Sequence, residues 1–244
     1  MRGRAGLALV AALALSGCGG GGDAQLKVSA ASSLKKALPA YEPKASYSFA
    51  GSDQLAAQIR GGAKPDVFAA ANTKLPAALF AAGLVEKPVV FAGNRMVIAV
   101  PAGSSKVNSV QDLAKPGTTI ALGAPAVPAG AYARQVIGRL SPATQRRILA
   151  NVRSNEPDVA GVVGKLSQGA VDAGLVYVTD VVGAGGTLKA VELPAALQPK
   201  VAYAAAVVKG TKHESKAAAY LHGLLNGKGA AALKTAGFEP PPAG

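Results

Sequence analysis

The stretch LKVSAASSL, residues 26–34, decides how this chain folds. It begins as a short apolar strand, ends in the pair Ser32 and Ser33, and leads into a helical pattern that opens with Leu34. A strand that runs into hydroxyl residues at a helix start presents free backbone N–H groups beside the positive end of the helix dipole, which is an elementary anion site. The alternative is that Ser32 or Ser33 only caps the helix, which is the commoner role of serine there.

The same order of strand, small residues, serine and helix recurs downstream. A strand predicted at residues 45–49 leads to Ser52, which stands where an N-cap would stand, and a second helical pattern follows it. A third short strand, residues 65–70, runs into Ala71, where only backbone donors are on offer. Two serine turns are harder to explain as caps than one, so the repetition favours an anion site.

Strands and helices alternate almost throughout the chain, which predicts an α/β fold of two doubly wound lobes with parallel sheets. Two nearly continuous apolar runs, 96–100 and 201–208, are predicted to be buried strands that cross between the lobes. We therefore expect one lobe of residues 25–98 with 205–244, a second lobe of residues 99–204, and a cleft between them. Ligands of open α/β sheets bind at the carboxyl ends of the strands.

The second lobe repeats the α/β series. Its predicted strands cover residues 118–122, 151–153, 173–177 and 188–193. A proline-rich loop is predicted at residues 123–130, with a helix from Ala131. Every turn of small residues in both series falls at the carboxyl end of a strand, where the cleft is expected.

The first 24 residues are typical of an export and anchoring signal. Two arginines precede an apolar run that is too short to span a bilayer, and LSGC at residues 15–18 resembles the lipobox of bacterial lipoproteins. We predict a signal peptide at residues 1–17 and a glycine-rich tether at residues 18–24 that starts with a lipidated Cys18. The exported chain would be anchored at the outer face of the cytoplasmic membrane. Cys18 is the only cysteine, so no intrachain disulfide can form.

Composition allows a large core, because 50% of the residues are hydrophobic and only 16% are charged. The formal net charge is +13 and falls to +11 once Arg2 and Arg4 are removed with the signal peptide. Lysines and arginines are scattered and form no basic run interleaved with aromatic residues, so no nucleic-acid partner is predicted. A basic surface does raise the local concentration of small anions.

The sequence lacks the residue sets that catalysis needs. His213 and His222 both lie in the closing helical region, and no Walker A, dinucleotide-binding or nucleophile-elbow motif is present. No cluster has metal-ligand spacing. We therefore predict neither an enzyme nor a cofactor or metal cation. A transferase or hydrolase that uses Ser33 or Asp158 stays the alternative, which the lack of a base beside the serine disfavours.

Turns that carry hydroxyls and backbone N–H groups suit a fully deprotonated oxyanion. Phosphate keeps at least one proton at neutral pH, so a phosphate site should present an acceptor. Sulfate and molybdate have no proton to donate, and a site built only from donors selects them. Size must then separate those two.

Several motifs taken together resemble the molybdate-binding proteins of ABC transporters, which have the type II periplasmic binding protein fold. The resemblance covers the chain from about Leu26 to Phe238. It is carried by Val28–Leu34, Phe49–Leu55, Lys64–Ala71, Val127–Ala133, Asp158-Val159, Gly174–Asp180 and Ala236–Phe238.

The resemblance implies that a monomer captures molybdate, and also tungstate, and delivers it to an ABC permease with its ATPase subunit. It implies three hydroxyl donors, Ser33, Ser52 and Tyr177. It further implies three backbone donors, Ala71, Ala129 and Val159.

Departures from the family pattern leave three alternatives open. Ser29 and Ser32 stand where the family more often has apolar residues or alanine, so Ser32 stays the alternative to Ser33. Asp53 follows the second serine and either points to solvent or faces the anion. The alternative ligand is another oxyanion, sulfate or phosphate.

Overall fold

The structure is a computed structural model that describes residues 25–242. The predicted signal peptide, Cys18 and the tether therefore lie outside the described residues. None of the helices in residues 25–242 combines the length and the apolar character that a membrane span needs.

The first lobe is built on a five-stranded sheet in the order β2-β1-β3-β10-β4. Its strands are β1 (Lys27–Ala31), β2 (Ser46–Ala50), β3 (Val67–Ala70), β4 (Val89–Asn94) and β10 (Val201–Val207). A 3₁₀ turn at Ser32–Leu34 follows β1. The helices of this lobe are α1 (Ala37–Tyr41), α2 (Ser52–Arg60), α3 (Lys74–Ala81), α8 (Glu214–Leu225) and α9 (Gly227–Thr235).

The second lobe has the same plan, with the strand order β7-β6-β8-β5-β9. Its strands are β5 (Met96–Pro101), β6 (Ile120–Gly123), β7 (Val152–Glu156), β8 (Ala173–Tyr177) and β9 (Leu188–Glu192). Its helices are α4 (Pro128–Gly138), α5 (Pro142–Ala150), α6 (Val159–Ser167) and α7 (Val178–Gly183), with 3₁₀ turns at Val110–Ala114 and Ala195–Leu197.

The prediction of two α/β lobes is confirmed, but the expectation of parallel sheets is wrong in part. Strands β1, β2 and β3 are parallel, as are β6, β7 and β8. Strand β10 runs antiparallel to β3 and β4, and β5 runs antiparallel to β8 and β9. Each of these two strands begins where the chain has just come from the other lobe, so it enters its sheet from the opposite end. Both sheets are therefore mixed.

The chain passes from the first sheet to the second at Arg95, the single residue between β4 and β5. It returns between β9 and β10, through residues 193–200. Arg95 bridges two carboxylates, with its guanidinium 2.7 Å from Glu192 and 2.9 Å from Glu239. The lobe limits derived from the sequence, 25–98 with 205–244 and 99–204, stay a proposal.

One local prediction needs correction. Residues 128–130 belong to the first turn of α4 and not to the proline-rich loop, because Pro128 stands at the first helical position, where a missing N–H costs nothing. The strand predicted at residues 173–177 is confirmed as β8, and α7 follows it directly. The Asp180 carboxylate supports this short helix by accepting a hydrogen bond from the Tyr177 N–H at 2.9 Å.

The core consists mainly of aliphatic residues, and its largest fully buried side chains are two tyrosines, Tyr177 and Tyr203. Tyr177 is the last residue of β8 and Tyr203 lies within β10, in the other lobe, and their rings meet edge to face with centroids 5.7 Å apart. A buried tyrosine must place a polar hydroxyl inside the protein. The junction of the lobes is therefore a polar region within an apolar core.

Candidate functional site

A small cavity lies between the lobes, where β1, β2, β3 and β8 end and where α2, α4 and α6 begin. Its volume is about 10 Å³, so its walls must separate slightly to admit anything larger than water. It is lined by Ala31, Ser32, Ser33, Ala50, Gly51, Ser52, Ala71, Val127, Pro128, Ala129, Asp158, Val159 and Tyr177. The six residues implied by the sequence resemblance are all in this set. The structure thus brings together residues that are far apart in the sequence, such as Ser33 and Tyr177, which are 144 positions apart.

Ser33 lies in the 3₁₀ turn after β1, and no side-chain cap is formed at this turn. Its hydroxyl is 2.9 Å from the hydroxyl of Tyr203 on β10. The structure therefore gives Ser33 a side-chain partner in place of the capping role that serine usually has. Ser32 lines the same cavity and remains the alternative ligand residue.

Ser52 is the first residue of α2, and Gly51 is the N-cap, again without a side-chain cap. The Ser52 side chain is buried, and its Oγ accepts a hydrogen bond from the Ala71 N–H at 3.1 Å. Two of the implied donors thus contact each other. Because Oγ accepts from Ala71, the hydroxyl hydrogen of Ser52 is left for another acceptor.

The wall from the second lobe consists mainly of helix starts. Ala129 is the second residue of α4 and Val159 the first residue of α6, positions whose N–H groups have no partner within the helix. Gly130 lets α4 begin close to β6, because a Cβ there would lie 2.2 Å from the Gly123 carbonyl oxygen. The dipoles of α4 and α6 therefore point their positive ends at the cavity.

Asp158 is the only carboxylate in the lining, and it is the N-cap of α6. Its Oδ1 accepts a hydrogen bond from the Gly161 N–H at 2.9 Å. This capping bond gives Asp158 a structural role, and it weakens the alternative that Asp158 acts as a catalytic group.

Tyr177 supplies the most informative atom of the site. The residue is 1% exposed, and its hydroxyl has no hydrogen-bond partner among the described residues. Burial, followed by the neighbouring Tyr203 and Tyr132, raises the pKa of Tyr177 well above its ordinary value, so the hydroxyl keeps its hydrogen. An unsatisfied buried hydroxyl costs about 1–3 kcal/mol. Such a group is expected where a ligand completes the hydrogen bonding.

Asp53 does not line the cavity. It is half-buried on the first turn of α2, and its Oδ1 is a buried atom with no partner among the described residues. This oxygen lies beside Gly51, 2.8 Å from where a Cβ of Gly51 would be. The structure therefore places Asp53 outside the cavity, beside Gly51, where the two lobes come close together.

A larger groove of about 1000 Å³ adjoins the cavity and shares Ser32 and Ser33 with it. Three lysines line this groove, Lys35, Lys36 and Lys228, together with one carboxylate, Asp180. Positive charge around an opening focuses small anions towards it. The approach to the cavity is thus basic, whereas the cavity itself has no Lys, Arg or His in its lining.

Three residues near the site were missed by the sequence interpretation: Tyr203, Asn94 and Thr179. Tyr203 could have been found from the sequence, because it is the only hydroxyl residue in the apolar run 201–208. Asn94 could have been found as well, because it directly precedes Arg95, the charged residue before the apolar run 96–100. Their contacts join distant parts of the chain, which no local pattern reveals.

The two histidines lie outside the cavity lining. His213 is the N-cap of α8, and its Nδ1 is 3.1 Å from the Asp66 carboxylate. Within residues 25–242, no group of three or more His, Cys, Asp or Glu residues could hold a metal ion.

Comparison with known proteins agrees with the motifs. Residues 26–239 match the family model described as bacterial extracellular solute-binding protein. The molybdate-binding protein ModA of Mycobacterium tuberculosis is 36% identical over 197 residues, which cover 80% of this chain and 73% of the relative. YvgL of Bacillus subtilis, named as an ABC transporter substrate-binding lipoprotein, is 30% identical, and the alignment covers 95% of this chain and 95% of the relative.

Solved structures show the same fold. The substrate-binding domain assigned to a molybdenum ABC transporter from Clostridium difficile has a TM-score of 0.67 at 27% identity, covering 89% of this chain and 99% of that one. The periplasmic molybdate-binding protein of Azotobacter vinelandii has a TM-score of 0.78 at 23% identity and covers 89% and 100%.

A third structure, the sulfate-binding protein SubI of M. tuberculosis, has a TM-score of 0.76 at 19% identity and covers 89% and 87%. Similarity at this level shows the fold, which is that of type II periplasmic binding proteins. The family match spans nearly all of the described residues, and the chain therefore belongs to the bacterial extracellular solute-binding proteins.

Proposed function

We propose that this protein binds molybdate, and also tungstate, in the cavity between its lobes and delivers it to an ABC permease with an ATPase subunit. The observation that carries the proposal is the Tyr177 hydroxyl, a buried donor in the cavity lining for which residues 25–242 supply no partner. The relatives named for molybdate binding support the choice of ligand.

The character of the lining supports an oxyanion held by neutral donors. Ser33, Ser52 and Tyr177 bring hydroxyls, and Ala129 and Val159 bring the first N–H groups of two helices, with Ala71 beside them. No positively charged side chain lines the cavity, so the anion would be stabilised by directed dipoles in a site of low dielectric constant. Such a site needs no bound cofactor, and we propose that the protein is not an enzyme.

The basic groove is the proposed entry path. Lys35, Lys36 and Lys228 attract an oxyanion over the range of the Debye length, which is about 8 Å at physiological salt. The anion then passes to the neutral donors, where its charge is no longer screened by water. Capture and retention are thus assigned to different residues.

Anchoring and delivery follow from the N-terminal sequence and the relatives. We propose that the chain is exported, that Cys18 is lipidated, and that residues 18–24 tether a monomeric binding protein at the outer face of the cytoplasmic membrane. The lipoprotein YvgL supports this proposal, since it covers 95% of this chain.

Sulfate is the second candidate ligand, because the sulfate-binding protein SubI shares the fold and sulfate also lacks a proton at neutral pH. Phosphate is disfavoured, since the one carboxylate in the lining is engaged as a helix cap. The three anions can be separated by direct measurement.

Calorimetric titration with molybdate, tungstate, sulfate and phosphate tests the proposal. We expect molybdate and tungstate to bind much more tightly than sulfate, and phosphate to bind weakest. Tight binding of sulfate without binding of molybdate would identify sulfate as the ligand. Tight binding of phosphate without binding of molybdate would refute the hypothesis that the site consists only of hydrogen-bond donors.

A further inference from the structure

A chain of hydrogen bonds behind the cavity joins the two lobes through their junction. The Asn94 Nδ2 donates to Thr179 Oγ1 on α7 at 2.9 Å and to Tyr203 Oη at 3.4 Å. Tyr203 Oη is in turn 2.9 Å from Ser33 Oγ at the cavity wall. Asn94, Thr179 and Tyr203 are all buried, so the two bonds from Asn94 form away from solvent, whereas Ser33 at the cavity wall is half-buried.

A backbone N–H fixes which atoms donate and which accept at one end of these hydrogen bonds. The Arg95 N–H donates to Asn94 Oδ1 at 2.9 Å, which identifies the amide oxygen and leaves Nδ2 facing Tyr203. An amide nitrogen can only donate, so Tyr203 Oη accepts from Asn94. The backbone of Arg95, where the polypeptide crosses between the lobes, thus orients the side chain of Asn94.

The remaining bond can then be assigned by counting hydrogens. If Tyr203 donates to Ser33, the hydroxyl hydrogen of Tyr203 is satisfied and that of Ser33 is free for the cavity. If Ser33 donates instead, the Tyr203 hydrogen is left with only the neighbouring Tyr177 hydroxyl, which makes no hydrogen bond within residues 25–242. The second arrangement is disfavoured, because a buried donor without a partner is destabilising.

We propose that Tyr203, oriented by Asn94, is a positioning residue that makes Ser33 a hydrogen-bond donor towards the ligand and so selects oxyanions that carry no proton. The inference rests on the proposed function, because it assigns selectivity at the same site. Ser52 has the equivalent arrangement, with its acceptor side occupied by the Ala71 N–H. Both serines of the first lobe therefore present hydrogens, and neither presents a lone pair, to the cavity.

The test compares two unprotonated anions, molybdate and sulfate, with phosphate, which carries a proton at neutral pH. In Tyr203→Phe the Ser33 hydroxyl can rotate and accept as well as donate. We expect molybdate and sulfate affinity to fall together by about tenfold, as for the loss of one oriented hydrogen bond, and phosphate affinity to fall less or to rise. The ratio of molybdate to phosphate affinity at pH 7 is the deciding measurement.

A second variant, Asn94→Asp, keeps the hydroxyls of Tyr203 and Ser33 and reverses the direction of the hydrogen bonds between them. Its carboxylate has no hydrogen to donate, so Tyr203 donates to it and Ser33 must donate to Tyr203. The lone pairs of Ser33 then face the cavity. We expect a larger loss of molybdate affinity than in Tyr203→Phe and a further fall in the molybdate-to-phosphate ratio. If Tyr203→Phe does not fold, this variant decides.

Tyr47→Phe is the matched control. The Tyr47 hydroxyl also donates within the first lobe, to the carbonyl oxygens of Leu38 and Glu42 at 2.8 and 2.9 Å, but Tyr47 does not line the cavity. Its removal should lower the melting temperature and leave the affinity ratio unchanged. A purely structural role of Tyr203 would give the same result in both variants.

A double-mutant cycle with Ser33→Ala separates action through Ser33 from a general disturbance. If Tyr203 acts through Ser33, Tyr203→Phe changes the molybdate-to-phosphate ratio in the wild-type background and not in Ser33→Ala. A folded Tyr203→Phe variant with an unchanged ratio refutes the role of Tyr203 while the proposed function stands. Failure of the wild-type protein to bind molybdate refutes both.

Discussion

The two walls of the cavity differ in how far their donors are already used. In the wall from the first lobe, Ser33 is bonded to Tyr203 and Ser52 to Ala71 before any ligand arrives. In the wall from the second lobe, the Tyr177 hydroxyl has no partner in residues 25–242, and the first N–H groups of α4 and α6 are free by position. The first wall is thus held in place by the protein, whereas the second wall is completed by the ligand.

This difference indicates an order of events. A wall whose hydroxyls are already oriented loses little entropy on binding, so it should make the first contact with the oxyanion. The open donors of the second lobe then gain their partners when the lobes close, which makes the anion itself the reason for closure.

The largest effect is expected from Gly51→Val, which prevents the walls from meeting. Gly51 has an extended backbone that any residue can adopt, but a Cβ there would lie 2.4 Å from the Pro157 carbonyl oxygen of the opposite lobe. Molybdate affinity should fall by about 3 kcal/mol or more, because the contacts of the second lobe are lost together. Calorimetry measures the affinity.

Gly103→Val is the control for that substitution. Gly103 is exposed in the second lobe, and a Cβ there would meet nothing within 4 Å. Its affinity should equal that of the wild-type protein. Wild-type affinity in Gly51→Val would show that the walls need not approach each other.

Ser52→Ala should weaken both binding and folding, because it belongs to the wall that the protein itself holds. Molybdate affinity should fall by about 1.5–3 kcal/mol, the value of a hydrogen bond to a charged group. The unliganded protein should also lose about 1 kcal/mol or more of stability, since the Ala71 N–H is left buried without its acceptor. Titration and urea unfolding of the same preparation measure the two effects.

Ser33→Ala should lower affinity by a similar amount, and Ser32→Ala should not. Both serines line the cavity, but the hydroxyl of Ser33 is the one bonded to Tyr203. Equal effects of the two substitutions, or an effect of Ser32→Ala alone, would move the ligand role to the neighbouring residue.

Tyr177→Phe should weaken binding without weakening the unliganded fold. Affinity should fall by about 1.5 kcal/mol, while the free energy of unfolding stays constant or rises, because a buried hydroxyl without a partner is removed. Contrasting Tyr177→Phe with Ser52→Ala therefore tests the comparison directly. A loss of stability in Tyr177→Phe as large as that in Ser52→Ala would mean that the two walls are equally preformed.

The smallest effect concerns Asp180, which caps α7 from the floor of the basic groove. Although part of the residue is accessible, its carboxyl is enclosed by protein. Burial raises its pKa from 3.8 to about 7, Asp158 adds to the rise, and the Tyr177 N–H opposes it. Between pH 4 and 7 the folded protein thus holds a proton that the unfolded chain has released, so stability falls as the pH rises.

Asp180→Asn keeps the acceptor for the Tyr177 N–H and removes the titration. Its free energy of unfolding should increase relative to that of the wild-type protein as the pH rises from 4 to 7. The difference between the two should be constant above pH 7. Urea unfolding at four pH values measures this difference. Two curves that stay parallel over the whole range would assign the group an ordinary pKa.

Much of the site was predictable because its parts are local. A strand, a small-residue turn and a helix start are each encoded in about ten neighbouring residues, and parallel strands bring all such turns to one edge. The placement of Ser33, Ser52 and Ala71 in one wall follows from that rule alone. The assignment of their ligand required the family resemblance in addition.

The sequence could not reveal features that depend on distant contacts. A continuous apolar run predicts a buried strand but not its direction, so the antiparallel entry of β5 and β10 was missed. Strand β4 was overlooked because a single residue separates it from β5. Helix α7 has the sequence VTDVVG, whose β-branched residues favour a strand, and the hydrogen bond from the Tyr177 N–H to the Asp180 carboxylate supports the helix against that preference.

The single residue that joins β4 to β5 also sets the mechanics of the molecule. A one-residue connection has no slack, so the lobes can turn about Arg95 but can hardly slide past each other. The cavity lies near this pivot, since Asn94, the neighbour of Arg95, reaches the cavity wall through its hydrogen bond to Tyr203 and the bond of Tyr203 to Ser33. Because the Arg95 ion pairs to Glu192 and Glu239 are solvent-exposed, salt weakens them, and the stiffness of this pivot should follow the ionic strength of the cell surface.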